Sequence, residues 1–175
     1  MNKENMELLF YENDKISGKS SIFLAGPTLR NDRFINSWRY EAVNILRDLG
    51  FKGSVYIPES KTGDYKSIGY SKKEYSEWEW ERLEKSDIIL FWIPRKLDIL
   101  PGFTTNIEFG RYITLCPEKV VLGYPSDSPK NEYLGLLYER FNKDGISYEL
   151  KETIEKALWR MDLFKKIKHN ALWVK

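Results

Sequence analysis

The chain is poor in the residues that bind structural metals. Its 175 residues include one cysteine, Cys116, and one histidine, His169. A single cysteine cannot form an internal disulfide, and one cysteine with one histidine cannot supply the four ligands of a structural zinc site. We therefore expect no disulfide and no bound metal.

Strong net charge and long apolar runs are also absent. The 28 Lys/Arg and 26 Asp/Glu side chains leave a net charge of +2, which provides no strong field for nucleic acid. No apolar run is long enough to span a bilayer, and the N-terminal sequence MNKENMELLFYEND is charged where a signal peptide would be apolar. We expect a cytoplasmic protein that binds neither nucleic acid nor membranes.

No internal repeat, low-complexity tract or linker divides the sequence. A chain of this length fits one domain with a substantial core. We predict a single domain over 1–175, in which 1–19 form an N-terminal extension and 151–175 form a C-terminal helix and tail.

Short apolar runs alternate with segments of helical periodicity. The runs SIFLA, IILFWI and KVVLG, and the weaker fourth run SVYI, are followed at once by Gly or Pro or end in Gly, and such runs are typical of buried strands. Helices are predicted from Phe34 to Leu49, with Asn31 or Asp32 as N-cap and Gly50 as stop, and also over 74–85, from about Thr105, over 131–141 and over 151–168. This order predicts an α/β fold with a doubly wound parallel sheet and helices on both faces.

Ligands of such sheets bind beyond the carboxyl ends of the strands. The residues that follow the predicted strands are therefore the first candidates for a site: Gly26, Pro27, Thr28 and Arg30; Pro94 and Arg95; 102–108; and 123–131.

Glu79 differs from the other glutamates of its predicted helix. Glu74, Glu77, Glu81 and Glu84 share one side of a helical wheel, whereas Glu79 faces the opposite side with the apolar residues. A carboxylate on an inward face requires a partner or a function. Arg82 on the same face offers a structural explanation, and a role in a site offers the other.

Glu108 also has two interpretations. It stands three residues after Thr105, the spacing of a capping box in which Thr105 is the N-cap. It also lies at the start of a helix at the ligand edge, where the helix dipole favours an ionised carboxylate, and Gly110 beside it permits close approach of another group. An ionised carboxylate facing a second carboxyl of higher pKa is the arrangement of retaining glycosidases.

Four segments together resemble the nucleoside 2-deoxyribosyltransferase family, in particular its deoxyribosyltransferase-like branch. They are IFLAGPT, WEWERLEKSDIILFWIPR, TTNIEFG and VVLGYPSDSPKNEYL, and the resemblance extends over about 21–134. The resemblance implies a flavodoxin-like fold and cleavage of the N-glycosidic bond of 2′-deoxynucleosides, with transfer of the sugar to another base through a covalent glutamate ester. It implies no cofactor, a deoxynucleoside or deoxynucleotide and a free nucleobase as ligands, and assembly as a homo-oligomer.

The resemblance selects the same two glutamates. Glu108 matches the nucleophile in its E-x-G context, and Glu79 matches the second acid eight residues before the strand-entry Asp87, where relatives commonly carry an aspartate. Gly102 stands where many transferases have a base-contacting aspartate, so Asp98 is a candidate substitute. The remaining substrate-binding candidates are Gly26, Pro27, Thr28, Arg95, Thr105, Asn106 and Asn131, the last in the place of an asparagine that a neighbouring subunit supplies.

Three alternatives stay open. A hydrolase acting on deoxynucleoside 5′-monophosphates would use Arg30, Arg95, Ser126 and Ser128 around the phosphate, although Arg95 could instead pair with Asp98. A catalytically silent nucleotide-binding module would bind the ligand without releasing a base. An FMN-binding flavodoxin-like domain would need a phosphate-binding loop, which the sequence AGPTLR after the first predicted strand does not provide.

Overall fold

The structure is a computed structural model that describes residues 5–12, 15–29, 36–62 and 71–171, with side chains of the last helix described as far as Lys166. Its five strands are β1 (Glu7–Phe10), β2 (Ser21–Ala25), β3 (Ser54–Ile57), β4 (Ile88–Trp92) and β5 (Val120–Gly123). Its five α-helices are α1 (Trp38–Asp48), α2 (Lys72–Lys85), α3 (Phe103–Leu115), α4 (Glu132–Phe141) and α5 (Leu150–Ala171). The predicted alternation of strands and helices is confirmed.

The strands form one sheet in the order β1-β3-β2-β4-β5, and every pair in it is parallel. The order β3-β2-β4-β5 is the start of the flavodoxin-like order, with β1 added outside β3. β2 and β4 are buried along their whole length, as expected for strands covered by helices on both faces. The predicted flavodoxin-like doubly wound sheet is therefore confirmed.

Two apolar cores lie on opposite faces of the sheet. Side chains of α1 and α5 pack with Ile22, Leu24 and Leu90 on one face, and side chains of α2, α3 and α4 pack with Phe23, Ile89 and others on the second face. Helices thus cover both faces, which leaves the strand ends as the place where polar groups meet.

β1 was not predicted from the sequence. Residues 1–19 were predicted only to form an N-terminal extension. Glu7 aligns with Ser54 and Phe10 with Ile57, so the segment extends the sheet at its edge. The strand has four residues, two of them half-buried and two buried, and such a short run gives a weak periodic signal.

Helix α1 begins later than predicted. Its N-cap is Ser37, whose hydroxyl accepts a hydrogen bond from the backbone N–H of Arg39, so Asn31 and Asp32 are not the caps of this helix. Those two residues and Phe34 lie outside the described ranges. Gly50, with φ of 76°, follows the last turn and ends the helix as predicted.

Candidate functional site

β2 and β4 are neighbours in the sheet, and the chain leaves them in opposite directions. After β2 it crosses to β3 on one side, and after β4 it crosses to β5 on the other. The loops that follow these two strands therefore diverge and leave a crevice at the carboxyl edge, the usual ligand position of such sheets. Gly26, Pro27 and Thr28 follow β2, and Arg95 follows β4, so these predicted residues lie at this edge.

Gly26 is required by the protein's own packing. A Cβ at this position would lie 2.2 Å from the carbonyl oxygen of Trp92 and 2.8 Å from the ring of Trp38, and the residue has φ of 154°. The glycine is therefore needed for the close approach of β4 and the Trp38 side chain of α1. The loop after β2 is pressed against the end of β4, which fixes the position of Pro27 and Thr28.

A buried arginine organises the same loop and was not identified from the sequence. Arg39 in the first turn of α1 has no solvent exposure. Its guanidinium group donates to the carbonyls of Leu24 (2.8 Å) and Gly26 (2.7 Å) and to the hydroxyl of Thr28 (3.0 Å). The carboxylate of Glu59, just beyond β3, lies 3.4 Å away. Arg39 falls on the apolar side of α1 with Ala42, Val43 and Leu46, a periodic signal that could have identified it.

Glu79 lies on α2 and Glu108 on α3, the helices before and after β4, and the charge of Glu108 acts on Glu79. Both are half-buried. Burial, together with the charge of Glu108, raises the pKa of Glu79 to about 8, while Arg39 opposes this rise. Burial raises the pKa of Glu108 to about 7, and Arg39 again opposes. The two carboxyls titrate as a pair, with the proton favoured on Glu79.

Arg82, the structural partner that the sequence suggested for Glu79, contacts other side chains of α2. Arg82 pairs with Glu81 at 2.5 Å and lies over the ring of Trp78 at 5.0 Å. Within the described ranges, the cation that lowers the pKa of Glu79 is Arg39, whereas Arg82 forms its ion pair with Glu81. Glu79 is the eighth of the fourteen residues of α2, in the middle of the helix.

The capping-box interpretation of Glu108 is also wrong. Helix α3 begins at Phe103, and its N-cap is Gly102 in the left-handed conformation, with no side-chain cap. Thr105 is therefore in the first turn and buried, and Glu108 lies in the second turn, too far along to cap the helix. No described atom from another part of the chain lies within 4 Å of a Cβ placed on Gly110, so this glycine does not admit a neighbouring protein group.

Arg95 is held in a network of its own. Its side chain donates to the amide oxygens of Asn131 (3.0 Å) and Asn106 (2.6 Å) and to the carbonyl oxygen of Pro101. The pairing with Asp98 that the sequence suggested is replaced by these contacts, and the Asp98 carboxylate accepts from the backbone N–H of Ile99.

Asn131 also donates to the carbonyl oxygen of Ile93 (3.0 Å) and to the Ser128 hydroxyl (2.9 Å). Asn106 and Asn131, both predicted to bind substrate, thus make hydrogen bonds that join the loops after β4 and β5 to α3 and α4. Asp87 ties the start of β4 to β2 by accepting from the backbone N–H of Ser21 at 2.9 Å. Arg30 lies outside the described ranges.

Within the described ranges, no group of three His, Cys, Asp or Glu side chains is arranged to hold a metal ion. None of the helices in that part of the chain combines the length and the apolar character needed to cross a bilayer.

Comparison with known proteins identifies one family. A family model described as nucleoside 2-deoxyribosyltransferase like matches residues 19–127, a region that contains β2 to β5, Glu79 and Glu108. No curated protein matches the chain. Because the model covers more than half of the 175 residues, the chain belongs to the nucleoside 2-deoxyribosyltransferase-like family.

Proposed function

We propose that this protein cleaves the N-glycosidic bond of 2′-deoxynucleosides and transfers the deoxyribosyl group to another base, with Glu108 as nucleophile and Glu79 as general acid and base. The main support is the interaction between these two carboxyl groups on α2 and α3, where the pKa of each is higher than that of an exposed glutamate. A pair of neighbouring carboxyl groups, one protonated and one ionised, is the usual basis of glycosyl transfer. Membership of the family supports the substrate class.

In the first step, a carboxylate oxygen of Glu108 forms a bond to C1′ as the bond from C1′ to the base nitrogen breaks. The departing base takes the bonding electrons, and Glu79 supplies the proton that neutralises it. The products are a deoxyribosyl ester on Glu108, a free base and a Glu79 carboxylate.

In the second step, a ring nitrogen of the incoming base attacks C1′ and the ester bond breaks. Glu79 removes the proton from that nitrogen, and Glu108 leaves as a carboxylate. Both glutamates return to their starting forms, so the cycle needs no cofactor. Water in place of the base would give hydrolysis by the same path.

A nucleoside fits the described contacts better than a 5′-monophosphate. Arg95 donates to Pro101, Asn106 and Asn131, and the hydroxyl of Ser128 donates to the carbonyl of Ile93 and accepts from the backbone N–H of Arg95. Two of the four groups proposed for the phosphate are therefore already used inside the protein. A clear preference for the monophosphate in turnover assays would reject this choice of substrate.

The test is incubation of the purified protein with each of the common deoxynucleosides, with and without a second free base, followed by chromatography of bases and mass analysis of the protein. We expect exchange of bases and an adduct with the mass of one deoxyribosyl group. Glu108→Gln should abolish both, and Glu79→Gln should slow base release. Glu77→Gln, on the exposed side of α2, is the matched control and should behave as wild type. Ligand binding without base release by the wild type would instead indicate a silent module.

We further propose that the protein assembles as a homodimer through an apolar surface on α3 and α4. Phe103, Ile107, Tyr133 and Leu136, hereafter the α3–α4 patch, each expose more than two-thirds of their surface, at 74%, 73%, 75% and 68%. Groups of exposed apolar side chains on neighbouring helices are typical of interaction sites.

Charge favours a second copy of the chain as the occupant of the α3–α4 patch. Helix α4 begins with Glu132 and carries Arg140 in its last turn. An antiparallel arrangement about a twofold axis would bring Glu132 of each copy to Arg140 of the other and would oppose the two helix dipoles. Ile107 directly precedes Glu108 in α3, so the second copy would cover one approach to the glutamates.

Sedimentation analysis tests the homodimer. We expect a dimer for the wild type, a monomer for Leu136→Lys and a weaker dimer for Glu132→Arg, with recovery when Arg140→Glu is added. Trp159→Ser, at an exposed apolar residue on α5, is the control and should remain dimeric. A monomeric wild type, or a double variant no better than Glu132→Arg, would reject the proposed interface.

A further inference from the structure

We propose that Arg39 is a positioning residue for the reaction: its guanidinium group fixes the loop after β2 and holds a positive charge that acts on both glutamates, while Glu59 limits how much of that charge they experience. The inference rests on the proposed function, because it assigns the control of the Glu79–Glu108 pair to residues outside the pair.

The contacts of Arg39 fix the loop mechanically. Three nitrogens of the side chain donate to oxygens of four residues at the end of β2 and in the loop after it: Leu24, Gly26, Pro27 and Thr28. Guanidinium is the only side-chain group with five donors in a planar fork, which is what this set of oxygens requires. The ring of Trp38 lies 4.5 Å from the guanidinium carbon and covers it.

The positive charge of Arg39 is only partly neutralised by Glu59. The closest approach of the two side chains is 3.4 Å, longer than the 2.7 Å bond that Ser37 donates to the same carboxylate oxygen. The shorter bonds of Arg39 go to neutral oxygens. Both partners are buried, so solvent screens their charges weakly, and the charge of Arg39 lowers the pKa of both Glu79 and Glu108.

Among the described charged groups, Arg39 is the one that lowers the pKa of both members of the pair. Burial is the larger influence on each glutamate, and the charge of Arg39 is the favourable one that Glu79 and Glu108 share. The neighbouring groups are engaged elsewhere or uncharged: Arg82 of α2 pairs with Glu81, Arg95 after β4 binds Asn106 and Asn131, and burial raises the pKa of Tyr112, one turn after Glu108 in α3.

Removing the negative charge of Glu59 and removing the positive charge of Arg39 should therefore shift the pKa values of Glu79 and Glu108 in opposite directions. Glu59→Gln keeps the shape and an acceptor oxygen for Ser37 and Arg39 but removes a negative charge, so the glutamates should ionise at lower pH. Arg39→Met removes the positive charge, so they should ionise at higher pH. For unit charges in a partly buried setting, we expect shifts of about half to one pH unit. Arg39→Lys keeps the charge and loses the fork, so it should keep the pH dependence and lower kcat.

The experiment is a carbon-13 NMR titration of the side-chain carboxyls of Glu79 and Glu108 in the protein without substrate, accompanied by the pH dependence of kcat/KM. Glu41→Gln, on the exposed side of α1, is the control and should leave both unchanged. Because the NMR titration needs no turnover, it tests Arg39 even if the wild type releases no base, an outcome that would reject only the proposed function. If Arg39→Met does not fold, Glu59→Gln decides alone: a titration that stays at the wild-type position or moves to higher pH overturns the inference.

Discussion

Replacing Glu79 by glutamine should stabilise the protein in alkaline solution and have little effect in acid. An exposed glutamate has a pKa near 4.5, and burial together with the charge of Glu108 raises the pKa of Glu79 to about 8. Between these two values the unfolded chain releases a proton that the folded protein keeps. The free energy of unfolding therefore falls as pH rises through this window, and the full cost is present above it.

The size of the effect follows from the same values. At about 1.36 kcal/mol per pKa unit, the difference between 4.5 and about 8 sets an upper limit of about 5 kcal/mol for the cost of the Glu79 carboxylate. Because Glu79 is half-buried, solvent screens part of this cost, and we expect about 2–3 kcal/mol at about pH 9 and under about 1 kcal/mol at about pH 5. For a domain of this length the alkaline gain corresponds to roughly 5–10 °C in Tm.

Urea unfolding followed by circular dichroism at the two pH values measures this difference. Glu77→Gln on the exposed side of the same helix should change stability by no more than about 0.5 kcal/mol at either pH. A gain in stability for Glu79→Gln that is equal at both pH values, or absent at alkaline pH, would refute the reasoning that burial raises the pKa of this carboxyl. The variant would then have only a packing effect.

Three further substitutions test the packing around the site. Gly26→Ala should cost about 2–4 kcal/mol or prevent folding, because the added methyl would meet the Trp92 carbonyl oxygen at 2.2 Å; a stability equal to wild type in urea would contradict this. Gly110→Ala should instead raise stability by about 0.5–1 kcal/mol, since open space surrounds this mid-helix glycine, and thermal melting should show the increase. Arg95→Met should cost about 2–4 kcal/mol by leaving the amide of Asn131 and other buried oxygens without a donor, and a loss below about 1 kcal/mol in urea would argue against a structural role.

The strand pattern was predictable because β2 and β4 are buried at every position, are apolar apart from Ser21, and are followed within one residue by Gly or Pro. Such runs leave few alternatives to a buried parallel strand. β1 was not predictable, because four residues with only two fully buried positions do not distinguish a strand from an apolar stretch of loop. Its pairing depends on β3, more than forty residues away in sequence.

The site was only partly predictable for a similar reason. Helical spacing identified Glu79 as inward-facing, and the same test applied to α1 would have identified Arg39. Its immediate neighbours, Trp38 and Tyr40, gave no indication that it is buried. The start of α3 depends on the left-handed backbone of Gly102, so the Thr105–Glu108 spacing indicated a cap that does not form. The partners of Arg95 come from segments brought together only by the tertiary fold, which local sequence does not encode.

Helix α5 belongs to the smallest fragment of this chain that we expect to fold alone. Leu150, Ile154, Ala157 and Met161 cover one face of the sheet together with α1, and they lie beyond the region 19–127 that the family model matches. A fragment cut to that region would expose Leu90 and Val121 to water and would lose the strand at the sheet margin as well. Such a fragment should aggregate on expression, so truncation studies of the catalytic machinery need to retain the C-terminal helix.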